Sequence, residues 1–197
     1  MHLFGLDLQQ LLSHSGAVIG FIIIFAESSI VFFLPGDSFI FAAAILASQG
    51  ILNIWELSIL MAIGAVLGNN LGYYLGKRYG VALFSRKTVL FNEENLLKTQ
   101  EFYAKHGPIT IILARFTPIV RTFAPILAGV AQMKYSVFFF YNLIGALLWV
   151  AGLGMLGYYA GSRIPNIDHY ILPIIAVIIL ASVAPALIHY ARGRNKS

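Results

Sequence analysis

The chain has 197 residues, of which 59% are hydrophobic and only 11% are charged. Soluble domains carry about a quarter charged residues, which they need to cover a surface that faces water. This composition excludes an ordinary soluble protein and indicates a membrane protein, with residues 1–197 forming one domain. The absence of cysteine excludes disulfides and thiolate metal sites. The net charge of +5 comes mainly from basic residues at the ends of apolar segments, so nucleic acid is not an expected partner.

Three apolar segments are long enough to cross a membrane as helices, since a span needs about 20 residues. They cover residues 54–76, 137–161 and 170–191, and Asn53 is placed to cap the first of them. The leucine-rich residues 1–16 suit a short helix that lies at the membrane interface. These segments predict an all-α integral membrane protein.

Two further apolar segments, residues 17–47 and 109–131, are interrupted by charged residues and prolines. The second segment is predicted to break between Thr117 and Thr122, which leaves two halves of about nine residues each. At 1.5 Å per residue, neither half can cross about 30 Å of hydrocarbon. Irregular backbone at membrane depth must be buried in protein or face water. Both segments therefore predict re-entrant helical hairpins that return to the side they entered from.

An internal repeat relates the two halves of the chain. The run LGYYLGKR at residues 71–78 recurs as LGYYAGSR at residues 156–163, an offset of 85 residues. The same offset pairs Gly36 with Arg121, near the two predicted hairpin tips. Each half is then a re-entrant hairpin followed by a spanning helix, and the halves enter the membrane from opposite sides. This predicts the inverted-repeat arrangement of known transporters.

The distribution of basic residues predicts the orientation. With the hairpins returning to their own sides, ten basic residues fall on one face and only Arg163 on the other; the ten are Lys77, Arg78, Arg86, Lys87, Lys98, Lys105, Lys134, Arg192, Arg194 and Lys196. The positive-inside rule then predicts an external N-terminus and a cytoplasmic C-terminus. The tyrosines of the two GYY runs are expected to anchor at the interface.

Four charged residues are predicted to lie inside the membrane: Glu27 and Asp37 in the first hairpin, and Arg115 and Arg121 in the second. Each costs about 2.5–3.5 kcal/mol on insertion scales, so some interaction must offset that cost. Arginine offers a fork of donors suited to phosphate, which makes Arg115 and Arg121 candidate phosphate-binding residues. Glu27 and Asp37 are candidate proton-coupling or gating residues. The alternative is a set of static salt bridges between the hairpins.

Other small and polar residues favour packing roles. Glycine recurs at every fourth residue from Gly64 to Gly76, a pattern that allows close helix contact. Asn69, Asn70 and Asn142 are expected to form hydrogen bonds between helices. The chain has no nucleophile or metal motif of a known enzyme class, so neither enzymatic activity nor a cofactor or metal is expected.

With these residues in view, the chain resembles the DedA family, also called the VTT or SNARE-associated-type membrane proteins. The resemblance extends from about residue 17 to residue 161. It is carried by Glu27, LPGDS at 34–38, ARFTPIVR at 114–121, and the Asn142, Gly145, Trp149 series. Many relatives carry Asp at the position of Asn69.

The family resemblance implies paired re-entrant hairpins and lipid translocation, with the family's acidic pair at Glu27 and Asp37 and its arginine pair at Arg115 and Arg121. Bacterial members are linked to returning undecaprenyl phosphate to the cytoplasmic leaflet, and others to phospholipid scrambling or to tolerance of membrane and pH stress. We therefore expect a flippase-like transporter of a phosphorylated lipid, coupled to protons or sodium. Its expected partner is a membrane lipid, either a polyprenyl phosphate or a phospholipid, and homo-oligomerisation is left open. The alternatives are a proton-coupled exporter of small ions or drugs and a non-transporting membrane assembly factor.

Overall fold

The computed structural model describes residues 2–3, 6–29, 36–84, 101–103 and 105–163. In this part of the chain the protein is helical, as predicted, apart from a two-residue antiparallel pairing of β1 (His2–Leu3) with β2 (Leu6–Asp7). The helices are α1 (Leu8–Ser29), α2 (Gly36–Ser48), α3 (Ile54–Phe84), α4 (Ile109–Ala114), α5 (Pro118–Val130) and α6 (Tyr135–Arg163). The predicted C-terminal span, residues 170–191, lies outside the described residues.

The start of the chain differs from the prediction. The described residues up to Ser29 contain no separate interfacial helix, because α1 runs without interruption from Leu8 to Ser29. The predicted boundary at residue 17 is therefore wrong. The weakest helix former there is Gly16, and a lone glycine costs about 1 kcal/mol, too little to end a helix of 22 residues.

Both predicted hairpin segments contain parts of two helices. The first segment contains the end of α1 and α2 as far as residue 47, and residues 30–35 lie outside the described part. The second is divided into α4, with 6 residues, and α5, with 13 residues. The break thus precedes Pro118, earlier than predicted. Proline is well suited to the first helical position, and it forces Thr117 into an extended conformation with φ −123° and ψ 108°.

The two long helices agree with the predicted spans. The helical segments Ile54–Gly80 and Tyr135–Arg163 are long and apolar enough to cross a membrane. The predicted N-cap is confirmed, because Asn53 Oδ1 accepts hydrogen bonds from the backbone N–H groups of Trp55 (2.9 Å) and Glu56 (3.2 Å). Helix α3 extends past its predicted end at residue 76, since the next residues, lysine and arginine, are good helix formers.

The helices α2 and α5 share a local architecture that supports the internal repeat. Each has 13 residues, and the second residue after its end has a left-handed backbone, Gly50 (φ 75°) after α2 and Gln132 (φ 56°) after α5. The backbone N–H of the next residue donates to the carbonyl five residues earlier in the chain. These hydrogen bonds join Ile51 to Leu46 at 3.1 Å and Met133 to Ala128 at 3.0 Å. The starts of the two helices, Gly36 and Pro118, are 82 residues apart, whereas the sequence repeat has an offset of 85, and the pairing of Gly36 with Arg121 stays a prediction. The opposite orientation of the two repeats stays a prediction.

The chain divides into two compact units. The described residues of the first unit are those up to residue 23, 36–61 and 150–163, and those of the second are 24–29 and the described part of 62–149. Helices α1, α3 and α6 contribute residues to both units.

In the first unit, α6 packs closely on α2 through the glycines of its repeat motif. A Cβ atom at Gly157 would overlap the carbonyl oxygen of Phe41, and one at Gly161 would overlap the Ser48 side chain. The Gln49 amide nitrogen also donates to the Gly161 carbonyl at 2.8 Å. Glycine is therefore required here so that the two helix backbones can approach.

In the second unit, α3 packs on α1 and α5 in the same way, through the predicted glycine face. A Cβ atom at Gly68 would lie 2.6 Å from the carbonyl oxygen of Phe25 in α1, and one at Gly76 would overlap the carbonyl of Ile126 in α5. Gly72 also faces α5, where a Cβ atom would lie 3.5 Å from Ile126. The predicted packing role is therefore confirmed for these three glycines.

A buried aromatic core lies beside these contacts. Tyr73 stacks on Phe138 with ring centroids 4.5 Å apart, and its hydroxyl donates to the carbonyl of Met133 at 2.5 Å. Tyr103 is also buried and donates to the carbonyl of Ala124 at 2.7 Å. The predicted interface role is wrong for Tyr73, whereas the second tyrosine of that run, Tyr74, is exposed. Tertiary packing decides which of two adjacent tyrosines is buried.

Candidate functional site

Three of the four predicted intramembrane charges lie in the second unit and are buried there. Glu27 is near the end of α1, Arg115 directly follows α4, and Arg121 is in the first turn of α5. Their exposed fractions are 2%, 1% and 3%. Because Pro118 starts α5, it places the two arginines on either side of the break between the helices.

Glu27 and Arg121 form a buried ion pair, in which Arg121 Nη2 donates to Glu27 Oε1. An acid of the first hairpin segment is thus paired with an arginine of the second, as in the alternative of salt bridges between these segments. Both side chains are 3% exposed, so water does not screen the interaction. Removal of either partner would leave a buried charge without compensation.

Arg115 is held differently, by neutral acceptors. Its Nη2 donates to Asn142 Oδ1 at 2.6 Å and to the carbonyl of Ala65 at 3.3 Å. When the Asn69 amide is oriented to satisfy both of its groups, its oxygen accepts from Arg115 Nη2 at 2.9 Å and its nitrogen donates to the carbonyl of Ser28 at 3.0 Å. Arg115 Nε and Nη1 are buried and have no hydrogen-bond partner among the described residues.

Asn142 connects this arrangement to α3. Its amide nitrogen donates to the carbonyl of Val66 at 3.1 Å and to Asn70 Oδ1 at 3.4 Å. The predicted hydrogen bonds between the helices are therefore present. They fix the Asn142 amide so that its oxygen faces Arg115, which means that α3 and α6 together orient the guanidinium.

Trp149 of α6 faces both arginines. Its ring centroid lies 4.6 Å from the guanidinium carbon of Arg121 and 5.9 Å from that of Arg115. Such cation–π contacts contribute about 0.5–2 kcal/mol, most when they are desolvated, and Trp149 is 2% exposed. The ring therefore adds to the stabilisation of two like charges that repel one another.

Glycine makes room for this cluster. A Cβ atom at Gly145 of α6 would lie 3.0 Å from Cδ and 3.3 Å from Nε of Arg115. Because these atoms belong to a side chain held at its far end, they could move only a little. We use the name arginine cluster for Glu27, Asn69, Arg115, Arg121, Asn142 and Trp149, whose side chains are all buried.

Asp37, the fourth predicted site residue, lies in the first turn of α2 and is half-buried. It belongs to the first unit. Its expected role beside the arginines stays a prediction.

Sequence reasoning gave Asn142 and Trp149 no role beyond packing and family resemblance. A signal was present, because positions 142, 145 and 149 recur at the spacing of one helix face. That face combines an amide, a glycine and an indole in an otherwise apolar helix. The described residues contain no group of three His, Cys, Asp or Glu side chains that could hold a metal ion.

Comparison with known proteins agrees with these features. Residues 34–159 match the VTT domain family. The chain is 44% identical to protein DedA of Escherichia coli K12 over 180 residues, which cover 89% of this chain and 82% of that protein. It is 40% identical to an uncharacterized membrane protein of Mycobacterium leprae, over 89% of this chain and 81% of that protein. A third relative, an uncharacterized membrane protein of Synechocystis, is 33% identical over 70% of this chain and 64% of its own length.

No solved structure matches the chain. The family match covers more than half of the chain, and the relatives are similar over most of it. With its apolar helices and buried charges, the chain belongs to the VTT domain family, the DedA family of membrane proteins.

Proposed function

We propose that this protein is a flippase-like transporter that moves a phosphorylated lipid carrier, such as undecaprenyl phosphate, between the two leaflets of the membrane. The observation that carries the proposal is the arginine cluster, which holds two positive charges and one negative charge away from water. A buried excess of positive charge costs free energy, and a bound anion would offset that cost. The alternative of static salt bridges accounts for Glu27 and Arg121, but the described hydrogen-bond acceptors of Arg115 include no carboxylate.

Each charged residue has a role in this proposal. Arg115 and Arg121 hold the phosphoryl head group, while the lipid tail remains in the bilayer. Glu27 competes with the head group for Arg121, so that protonation of Glu27, or binding of sodium to it, couples substrate release to an ion gradient. Asp37 acts as a second gating acid. The cycle makes and breaks no covalent bond and uses no cofactor.

In this proposal the protein lies in the bacterial plasma membrane, with its N-terminus external and its C-terminus cytoplasmic. The match of the chain to membrane proteins supports the location, and the count of basic residues supports the orientation. Homo-oligomerisation is compatible with this proposal.

Transport in liposomes tests the proposal. Protein reconstituted with a fluorescent polyprenyl phosphate should move that lipid between leaflets, and Arg115→Ala should reduce the rate at least about tenfold, because a buried charged contact contributes more than 1.4 kcal/mol. Arg78→Ala, which removes an exposed arginine of α3, is the matched control and should keep the rate of the unmodified protein.

Other outcomes distinguish the alternatives. An unchanged rate for Arg115→Ala would reject the role of this arginine. Proton flux without lipid movement would favour the exporter. Full function in cells after Glu27, Arg115 and Arg121 are all replaced by neutral residues would favour the assembly factor.

A further inference from the structure

A group of exposed aromatic rings lies where α3 and α6 meet on the surface of the second unit. The ring centroids of Tyr74 and Tyr135 are 5.4 Å apart, and that of Phe139 is 5.9 Å from Tyr135. The buried ring of Tyr73 packs against both tyrosines, at 5.7 Å from each. Because Tyr135 is the first residue of α6 and Tyr74 lies near the end of the apolar part of α3, these rings are held at one end of both spanning helices.

Two lysines flank these rings. Lys77 Nζ lies 6.0 Å from the ring centroid of Tyr73, and Lys134 immediately precedes Tyr135. Both lysines are exposed, and neither forms an ion pair with another described residue. We use the name tyrosine seam for Tyr74, Lys77, Lys134, Tyr135 and Phe139.

The surface around the tyrosine seam is positively charged. Among Lys, Arg, Asp and Glu, the described part of the second unit exposes four basic residues and one acid, which are Lys77, Arg78, Lys105, Lys134 and Glu101. An anionic partner would therefore be attracted to this surface, and a cationic one repelled.

An apolar strip continues from the tyrosine seam along α3. Exposed residues recur there every three or four positions, which places them on one face of the helix; they are Ile63, Leu67, Leu71 and Tyr74. At 1.5 Å per residue the strip is about 16 Å long, close to the half of about 30 Å that one leaflet contributes to the hydrocarbon core. A positive end and an apolar strip of this length match the head group and the acyl chain of one lipid.

The second copy of the sequence repeat lacks part of this arrangement. Ser162 occupies the position that corresponds to Lys77, so the motif at the end of α6 has only Arg163 as a basic residue. The guanidinium carbon of Arg163 lies 4.8 Å from the ring centroid of Tyr159. Interfacial tyrosines are common to both copies, whereas the pair of lysines belongs to the tyrosine seam alone.

We propose that the tyrosine seam binds one anionic phospholipid as a resident lipid that is not transported. Lys77 and Lys134 contact its phosphate, and the hydroxyls of Tyr74 and Tyr135 donate to the head group. Its acyl chains lie along Phe139 and the apolar strip of α3. This inference goes beyond the proposed function and does not rest on it, because the seam lies on the surface and is separate from the buried arginine cluster.

Native mass spectrometry of delipidated protein in nonionic detergent tests this inference. The protein is titrated with dioleoyl phosphatidylglycerol and, in a second arm, with dioleoyl phosphatidylcholine, which has the same chains and no net charge. Unmodified protein should bind the first molecule of phosphatidylglycerol at least about tenfold more tightly than phosphatidylcholine. This factor follows from two lysines, since each basic residue near an anionic lipid strengthens binding about fivefold.

Substitution of the lysines locates the preference. Lys77→Gln and Lys134→Gln should each reduce it about fivefold, and the double variant should abolish it. Both side chains are exposed, so neither change should affect folding. The matched control is Lys105→Gln, the same chemical change at another exposed lysine of this unit, and Arg163→Gln tests the second copy of the repeat. Both controls should keep the preference.

Quenching by brominated lipid reports the position of the bound chain. In a Trp55→Phe background, Phe139→Trp places an exposed indole in the tyrosine seam, while Trp149 stays buried. Phosphatidylglycerol with brominated chains should quench this indole more than brominated phosphatidylcholine does. The difference should disappear when Lys77 and Lys134 are both replaced by glutamine, and it should persist in Arg115→Ala, which alters only the arginine cluster.

Three results would overturn the inference. The first is equal affinity of the unmodified protein for the two lipids, and the second is an equal loss of preference in Lys105→Gln and Lys77→Gln, which would assign it to net charge. The third is a dimer that excludes the lipid and dissociates in Phe139→Trp, which would assign the seam to a second copy of the chain. None of these results changes the expected loss of transport in Arg115→Ala, so the two proposals fail separately.

Discussion

The ion pair between Glu27 and Arg121 provides the sharpest test of the structure. Loss of one member of a buried pair costs about 3–5 kcal/mol, because the remaining charge has neither water nor a counterion. Both side chains are 3% exposed, so this range applies. We expect Glu27→Ala to cost about 3 kcal/mol, at the low end, since the ring of Trp149 still faces the Arg121 guanidinium at 4.6 Å.

A double-mutant cycle separates the interaction energy of the ion pair from the effect of losing each side chain by itself. Glu27→Gln with Arg121→Gln removes both charges, and the double variant should recover about 2 kcal/mol relative to the sum of the single changes. The measurement is the free energy of unfolding by sodium dodecyl sulfate in mixed micelles, followed by circular dichroism.

The control is a polar contact of a carboxylate at the surface. His14 Nδ1 lies 2.5 Å from Glu56 Oε1, but the histidine side chain is 71% exposed and the glutamate side chain 33%. Glu56→Gln should therefore change the unfolding free energy by less than about 1 kcal/mol. A cost below about 1 kcal/mol for Glu27→Ala, or no coupling in the cycle, would refute the buried pair.

Two further predictions concern packing and pH. Gly76→Ala should destabilise the protein by about 1–3 kcal/mol, because its Cβ atom would overlap the backbone of Ile126, whereas Gly152→Ala, which meets nothing within 4 Å, should be neutral or slightly stabilising in the same unfolding assay. Burial raises the pKa of Tyr103, which lies outside the two spanning helices, so its stabilising contribution is complete below pH about 10 and is lost as pH rises further. Tyr103→Phe should flatten this loss of stability at alkaline pH, and it should cost about 1 kcal/mol at neutral pH through the lost hydrogen bond to Ala124; an unchanged alkaline profile would contradict the role of Tyr103.

The sequence by itself determined the class of the protein and which of its charged residues would be costly to place inside a membrane. A low charge content and long apolar runs leave few alternatives to a membrane protein, because the bilayer requires spans of defined length. The N-cap Asn53 and the glycine face of α3 were also predictable, since both depend on local backbone geometry. A break near Pro118 was predictable, but its position was not. The position depends on Pro118 starting α5 instead of interrupting a helix.

Only the tertiary structure decided how the charges are partnered. Sequence reasoning treated two acids and two arginines as equivalent pairs, but Glu27 neutralises Arg121 while Arg115 is held by amides. Asn69, Asn142 and Trp149 come from α3 and α6, far from the arginines along the chain, and no local pattern fixes which side chain meets which. Contact between distant segments is set by helix packing through glycine, and that packing determines which acceptor each buried arginine meets.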